Sequence, residues 1–474
     1  MTDSLDGAGA TEVRRSLPVA VLGAGPIGLA AAAELVARDQ EVVILEAGES
    51  AAAGVRSWGH VRLFSPWSEL TSPAGIELLQ RQGWEHPEQD ACPTGNEWVS
   101  SYLQPLAAAL SDRIRIGQRV VGIARQDRDL LVDSGRDDQP LVIHVESTNG
   151  AVSRVLARAV IDATGTITRP NPLGSEGYPA VGETATKDRI SYGMPDPATD
   201  VSRYGGRSTA VVGSGASALT ALIALTSESL HLKGSRVVWV LRRGAVGDSY
   251  GGGAADELPA RGALGIRVRA AVEAGLIEVV TGFRTVAVER DSNDGPMIMV
   301  GSDGRRIEGL DEIVCVTGFR PDLSFLSEVR LDLDNRLQAP ARLAPQIDPN
   351  YHSCGSVQPH GHRVLAQPER GLYLAGMKSY GRAPSFLAMT GYEQVRSIAA
   401  VLSGDLAAAD DVQLILPDSG VCGGAGLFDD SSADGGCCGA PSGPEFVELG
   451  GSVELGGLVV LPAGSAVADD HGTN

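Results

Sequence analysis

Residues 18–46, PVAVLGAGPIGLAAAAELVARDQEVVILE, decide the fold. Pro18 to Gly23 is an apolar run of the kind buried in a parallel sheet, Pro26 to Arg38 reads as an alanine-rich helix, and Glu41 to Leu45 is a second apolar strand closing at Glu46. Between the first strand and the helix stands Gly23-Ala24-Gly25-Pro26-Ile27-Gly28. Its glycines permit a tight turn, the close approach of a pyrophosphate to the backbone, and close packing of the helix on the strand. Glu46 follows Gly28 by eighteen residues, at the end of the next strand, where its carboxylate can accept hydrogen bonds from a ribose diol. The whole is one βαβ unit opening a doubly wound sheet.

A second, independent unit begins at Thr209. Strand Ala210 to Val212 leads into the turn Gly213-Ser214-Gly215-Ala216-Ser217-Ala218, an Ala/Leu helix and the strand Arg236 to Leu241. Alanine takes the third glycine's place. Arg242 and Arg243 stand where the first unit has an acid, and paired guanidinium groups suit a 2′-phosphate. One turn followed by Glu and one followed by Arg-Arg imply FAD in the first unit and NADPH in the second. The expected contacts are Gly23, Gly25, Pro26, Ile27, Gly28 and Glu46 for FAD, with Gly213, Gly215, Ser217, Ala218, Arg242 and Arg243 for NADPH.

Outward from these units, a loop rich in Trp and Pro (Trp58, Trp67, Trp84) precedes a helix over Asn96–Leu110. Strand-like runs then lead from Arg115 to Val160-Ile161-Asp162-Ala163-Thr164-Gly165. The strand Glu312 to Thr317 leaves the second unit, Gly371 to Ala375 returns to the first sheet, and a helix over Ser385–Leu402 packs against it. The expected fold is α/β with two Rossmann-like domains, the NADPH domain inserted in the FAD domain. The FAD-binding domain takes 17–185 and 326–405, the NADPH-binding domain takes 186–325, and 406–474 is a flexible acidic tail containing cysteine. That tail holds eleven acids, and no Lys or Arg follows Arg396.

The 474 residues carry a net charge of −20, a field that repels nucleic acid and anionic membranes, so the partner is a small molecule. Six cysteines without a CxxC read as reduced thiols in the cytoplasm. Arg14-Arg15 before the uncharged run Leu17 to Ala33 has the look of a twin-arginine signal, but glycines and Pro26 break the run, and cleavage would destroy the first strand. The assembly, a homodimer included, is left open.

His352, Cys354, His360 and His362 gather in eleven residues just before the returning strand, and a thiol with imidazoles can bind a metal or a soft substrate, or deliver protons. Cys422, Cys437 and Cys438 suit trivalent arsenic, a soft three-coordinate acceptor that favours thiolates. Zinc capture, an intermolecular thiol and an inert tail remain alternatives for this trio.

From residue 17 to 405 the sequence resembles the flavoproteins with two dinucleotide-binding domains, a superfamily that includes disulfide reductases and flavin-dependent monooxygenases. In this resemblance Ala163-Thr164-Gly165 and Thr317-Gly318 are small-residue crossovers between the domains. Gly371-Leu372-Tyr373-Leu374-Ala375-Gly376 is the strand that meets the flavin, which adds Thr164, Gly165 and Gly376 to the FAD contacts. Departures also matter: the CxxC of thioredoxin-reductase-like enzymes is missing, and Lys187 to Arg207 lacks the His of the monooxygenase pattern FxGxxxH. A closer resemblance, to the flavin-binding monooxygenases of bacterial arsenic-resistance operons, rests on Val61-Arg62-Leu63-Phe64-Ser65-Pro66-Trp67, Leu258-Pro259-Ala260-Arg261-Gly262, His352-Ser353-Cys354-Gly355, Met377-Lys378-Ser379-Tyr380-Gly381-Arg382-Ala383-Pro384 and the tail cysteines.

The resemblance implies an enzyme, an FAD-containing NADPH-dependent oxidoreductase of monooxygenase type acting on trivalent arsenicals. His352, Cys354 and His360 are the catalytic candidates, and Cys422, Cys437 and Cys438 the arsenic ligands. Two rivals stand beside it: an NADPH-dependent reductase passing electrons to a thiol or metalloid, and a redox-sensing or metalloid-binding flavoprotein without turnover.

Overall fold

Strands β1 (Val19–Leu22) and β2 (Val42–Leu45), joined by helix α1 (Pro26–Val36), are buried along their whole length. Successive side chains of a strand point to opposite faces. Accordingly Val19, Val21, Val42 and Ile44 enter the core beneath α1, while Ala20, Leu22, Val43 and Leu45 enter a second core on the far face. With both faces covered no position is left for a polar residue, hence the unbroken apolar runs. The computed structural model describes residues 16–253, 259–290, 292, 295–350, 359–383 and 386–413.

The next segment, expected as one helix, is helical from Gly95 to Ala109 with a π turn over Val99–Leu103. Pro105 has no N–H to give the carbonyl four residues back, so the ladder breaks there. The freed Ser101 O accepts Trp84 Nε1 at 2.8 Å. Strand β3 (Ile114–Arg115) then pairs with β2. An antiparallel meander, β4 (Gln118–Arg125), β5 (Leu141–Ser147) and β6 (Val152–Ala157), supplies the far-side core, and β7 (Ala159–Asp162) lies parallel to β1 on its other flank.

A second sheet repeats this plan. Strands β8 (Ile190–Ser191), β9 (Ser208–Val212), helix α2 (Ala216–Leu225), strand β10 (Arg236–Val240), helix α3 (Pro259–Glu273) and strand β11 (Ile277–Val280) precede another meander. That meander is β12 (Thr285–Arg290), β13 (Met297–Gly301) and β14 (Arg306–Leu310), and β15 (Glu312–Cys315) closes the sheet in the order β11-β10-β9-β15-β8. Again the pleat sorts the strand: Val211, Val237 and Trp239 face the helices, and Ala210, Val212, Val238 and Val240 face the meander.

Strand β16 (Leu372–Leu374) returns to β7 in parallel, completing a five-stranded first sheet of order β16-β7-β1-β2-β3. Helix α4 (Ala388–Ser403) follows, and its interior residues join the core beneath α1. Packing continues past residue 405: a helical turn over Leu406–Asp410 is held by Ser397 Oγ, which donates to Ala409 O at 2.6 Å. Arg14-Arg15, His352, Cys354, Cys422, Cys437 and Cys438 lie outside the described residues.

The chain passes between the sheets twice, after β7 and after β15. These two crossovers pair with each other: Asn171 N donates to Gly318 O at 2.9 Å, Arg320 N donates to Arg169 O at 2.9 Å, and Pro170 and Phe319 form an antiparallel bridge. No helix among the described residues is long and apolar enough to cross a membrane.

Candidate active site

Gly23, Gly25 and Gly28 play different parts in the first turn. Gly23 adopts φ +89°, a left-handed conformation that costs other residues energy, and a Cβ on Gly28 would stand 1.9 Å from Gly23 O. Gly25 caps α1 with an ordinary φ of −79°, yet a Cβ there would meet nothing within 4 Å. The turn is thus closed on its protein side and open on the other, at the amino end of a helix, where backbone N–H groups and the helix dipole favour an anion. Pro26 opens α1, and Ile27 packs beneath Gly376 and Gly391. Glu46 faces the turn from the end of β2, accepting Ala24 N at 2.6 Å and Gly48 N at 2.7 Å.

The second turn has the same openness. A Cβ on Gly215 would also meet nothing within 4 Å, whereas one on Gly213 would stand 2.4 Å from Val316 O. Ala218 is fully buried in the third position, and Ser217 is half-buried beside it. Trp239 fastens this turn from β10, donating Nε1 to Gly213 O at 2.8 Å. Arg242 is exposed just past β10, and Arg243 is half-buried with its carbonyl accepting Gly282 N at 2.6 Å.

Around the returning strand lies a network that reading the sequence missed. Asp162 ends β7 and Lys378 follows β16, and both side chains are fully buried. Lys378 Nζ stands 2.9 Å from Asp162 Oδ2, donates to Thr164 Oγ1 at 2.9 Å and donates to Asp322 O at 2.7 Å. An ammonium concentrates its charge and three donors on one point, and here it meets oxygens from two stretches of chain, 162–164 and Asp322. The signal was available, since lysine is used three times among 39 basic residues. Gly165, at φ +68°, adjoins this cluster and leaves open space where a Cβ would go.

Gly376, at φ +67°, is fixed by Gln394, whose Oε1 accepts Gly376 N at 2.7 Å. The amide of Gln394 donates to Ser379 Oγ at 3.0 Å and lies 2.8 Å from His360 Nε2. With the amide as donor, His360 Nε2 is the acceptor and its proton sits on Nδ1. His360 is buried and so placed against the Gly376 turn from behind, while His362 lies apart, its Nδ1 3.3 Å from Ser397 Oγ. Among the described residues no three His, Cys, Asp or Glu side chains gather as metal ligands.

Both described thiols are held toward the protonated form. Burial pushes the Cys315 thiol up to about 12. Cys92 is half-buried and raised by burial and then by Glu69, and its Sγ donates to Phe64 O at 3.6 Å.

Comparison with known proteins agrees with this geometry. The profile of the pyridine nucleotide-disulphide oxidoreductase family matches residues 20–342. Bacillithiol disulfide reductase from Bacillus cereus is 18% identical, with a TM-score of 0.61 over 82% of this chain and 99% of that one. Ornithine hydroxylase from Pseudomonas aeruginosa is 15% identical, with a TM-score of 0.54 over 82% and 98%. Thioredoxin reductase from T. acidophilum is 17% identical, with a TM-score of 0.51 over 82% and 99%. At such identities the likeness is one of fold. Among curated proteins, none matches the sequence.

Proposed function

The chain belongs to the pyridine nucleotide-disulphide oxidoreductase family, whose members use FAD and NAD(P)H, and from that premise we propose that it is an NADPH-dependent flavin monooxygenase-like enzyme oxidising trivalent arsenicals. One observation carries the cofactor part. Each parallel sheet ends in a glycine turn whose middle glycine faces open space, one beside a carboxylate and the other followed by two guanidinium groups.

Gly23, Gly25 and the start of α1 (Pro26, Ile27, Gly28) would hold the FAD pyrophosphate, Glu46 its ribose, and Thr164, Gly165 and Gly376 the remainder of the group. Gly213, Gly215, Ser217 and Ala218 would hold the NADPH pyrophosphate, with Arg242 and Arg243 on its 2′-phosphate. Bound together, the pair supplies hydride transfer to the flavin and the flavin's electron chemistry. Lys378 joins the first sheet to both crossovers, and Gln394 with Ser379 and His360 holds the Gly376 turn in shape. His352 and Cys354 are assigned to guiding oxygen to arsenic, and Cys422, Cys437 and Cys438 to capturing it as thiolates. The arsenical part is supported by the resemblance of sequence motifs to those of arsenic-resistance flavoproteins and by the soft-ligand chemistry of these thiols.

The test is stopped-flow flavin absorbance with NADPH and arsenite, oxygen uptake, and arsenic speciation. Arsenate matched to oxygen consumed is expected. NADPH consumption without oxygen uptake assigns the reductase reading instead, and arsenite binding without NADPH turnover assigns the sensor. Gly25→Ala should fold and emerge colourless; if it retains FAD, the placement of the pyrophosphate is wrong.

A further inference from the structure

The paired crossovers place two arginines directly opposite one another. Arg320 N donates to Arg169 O at 2.9 Å beside the Pro170–Phe319 bridge, so their side chains start from facing positions on a two-stranded ribbon. Like charges so placed repel. A third, Arg382, follows the Gly381 turn, and its charge reaches Arg320: burial, and then the positive charges of Arg382 and Arg169, hold Arg320 below the ordinary arginine range.

Local neutralisation is incomplete. Arg320 Nε donates to Asn171 Oδ1 at 2.9 Å and its Nη2 to Gly177 O at 3.1 Å, while Arg382 Nε donates to Gln338 Oε1 at 3.0 Å. These partners are all uncharged. Asp322 Oδ1 accepts Arg169 Nη1 at 3.2 Å, and the other nearby acid, Asp162, is taken by Lys378. Arg169 thus has a carboxylate hydrogen-bond partner while those of Arg320 and Arg382 are uncharged, in a chain whose net charge is −20. Further guanidinium donors, Arg320 Nη1 and both Nη atoms of Arg382 among them, form no hydrogen bond with the described residues.

We infer that Arg169, Arg320 and Arg382 form a binding site for a multivalent tetrahedral oxyanion, delivered or released where the two sheets join. Guanidinium groups meet such oxyanions through charge-assisted, often bidentate hydrogen bonds, and the excess positive charge suits a dianion. The NADPH phosphates are accounted for elsewhere, at the second glycine turn and at Arg242 and Arg243. Asp322 links the site to the Lys378 cluster, its carboxylate accepting Arg169 and its carbonyl accepting Lys378. It rests on the proposed arsenical oxidation only for its physiological ligand, since arsenate, the product, has this chemistry, as does free phosphate.

The experiment titrates the FAD-loaded protein with inorganic phosphate, then arsenate, against chloride at constant ionic strength, by calorimetry and by thermal unfolding. Ligand binding to the folded state raises Tm, so a saturable rise is expected with both anions. Arg320→Gln should weaken binding at least tenfold with flavin absorbance unchanged. Arg382→Gln, at an exposed position, should do the same even where the first variant folds poorly. The double variant Arg242→Ala, Arg243→Ala should bind as tightly as the parent. No saturable response at millimolar anion, binding by both Gln variants as tight as the parent's, or loss in the Arg242/Arg243 variant instead would overturn the site. Inhibition of arsenite-stimulated NADPH consumption by arsenate identifies the anion as product, whereas equal binding without inhibition identifies free phosphate. Failure of arsenite turnover alone leaves the anion titration standing, so the two readings fail separately.

Discussion

In the first half of the molecule the glycine turn is clamped by a carboxylate, and in the second by an indole. Glu46 takes up the N–H groups of Ala24 and Gly48, whereas Trp239 gives its own N–H to the carbonyl of Gly213. The difference teaches how a strand end acquires its charge. Where the acid that suits a ribose diol is also the clamp, the strand end is committed to negative charge. Where a buried ring does the fastening from within the sheet, the strand end is released for Arg242 and Arg243. The strands flanking these turns end differently as well, for Asp162 is in register with Leu22 and Cys315 holds the matching place beside Val212.

The largest effect should come from those two strand ends. Lys378→Met leaves Asp162 buried and uncompensated, at a cost of about 3–5 kcal/mol. Cys315→Ala removes only a buried sulfur, about 1 kcal/mol. Denaturant melts of the two variants test the contrast, and equal losses would break it.

The charge at the turns comes next. Arg242→Ala with Arg243→Ala should raise the KM for NADPH by about ten- to hundredfold, corresponding to roughly 1.5–3 kcal/mol, and leave NADH nearly unchanged. Steady-state kinetics with both cofactors decide this, and equal use of NADH and NADPH by the parent protein would refute the assignment.

Third comes packing. Gly28→Ala drives a Cβ to 1.9 Å from a carbonyl oxygen, and the resulting shift of α1 should cost about 1–3 kcal/mol and lower flavin content. The mirror change, Ala218→Gly, introduces no clash and loses helix propensity, about 1 kcal/mol, together with one buried methyl, about 1 kcal/mol more. Thermal unfolding of the pair measures how much closer α1 sits to its strand than α2 does.

The smallest effect concerns Cys315. A thiol normally titrating near 9 and raised by burial to about 12 has about a thousandfold less thiolate at pH 8, so alkylation followed by mass spectrometry should find it protected in the folded protein. Its linkage runs upward in pH: the stability from burying the neutral thiol is complete below about pH 9 and is lost as pH climbs toward 12. Labelling as fast as that of the unfolded chain would refute the burial argument.

The βαβ frames were legible because the stretches of strand covered on both faces are apolar, which makes Val19–Leu22 and residues 237–240 stand out, and because glycine marks the turns without regard to context. The return of β16 to β7 was legible for the same reason. The π turn before Pro105 was missed, because the indole that takes up the freed Ser101 carbonyl lies seventeen residues away. Lys378 and Gln394 were missed as network members because their meaning lies in partners far along the chain, Thr164 at a separation of 214 residues and His360 at 34. His360 could be picked out as chemically capable, but its local sequence does not say that its ring nitrogen would be satisfied by a buried amide.

The pairing of the two crossovers has a consequence for how such a chain is assembled from parts. Asn171 and Gly318 are a hydrogen bond apart, 2.9 Å, although all the strands of the second sheet lie between them in sequence. Splicing the chain across this ribbon would ask the host for a short hairpin, and closing a short loop costs little more conformational entropy than the existing junction. The first sheet does not draw a strand from the inserted segment, since β16 pairs with β7 and β7 with β1. The inserted segment is therefore joined to its host by adjacent ends, with Phe64 packed against its core, and removing it would leave the strand order of the receiving sheet as it stands.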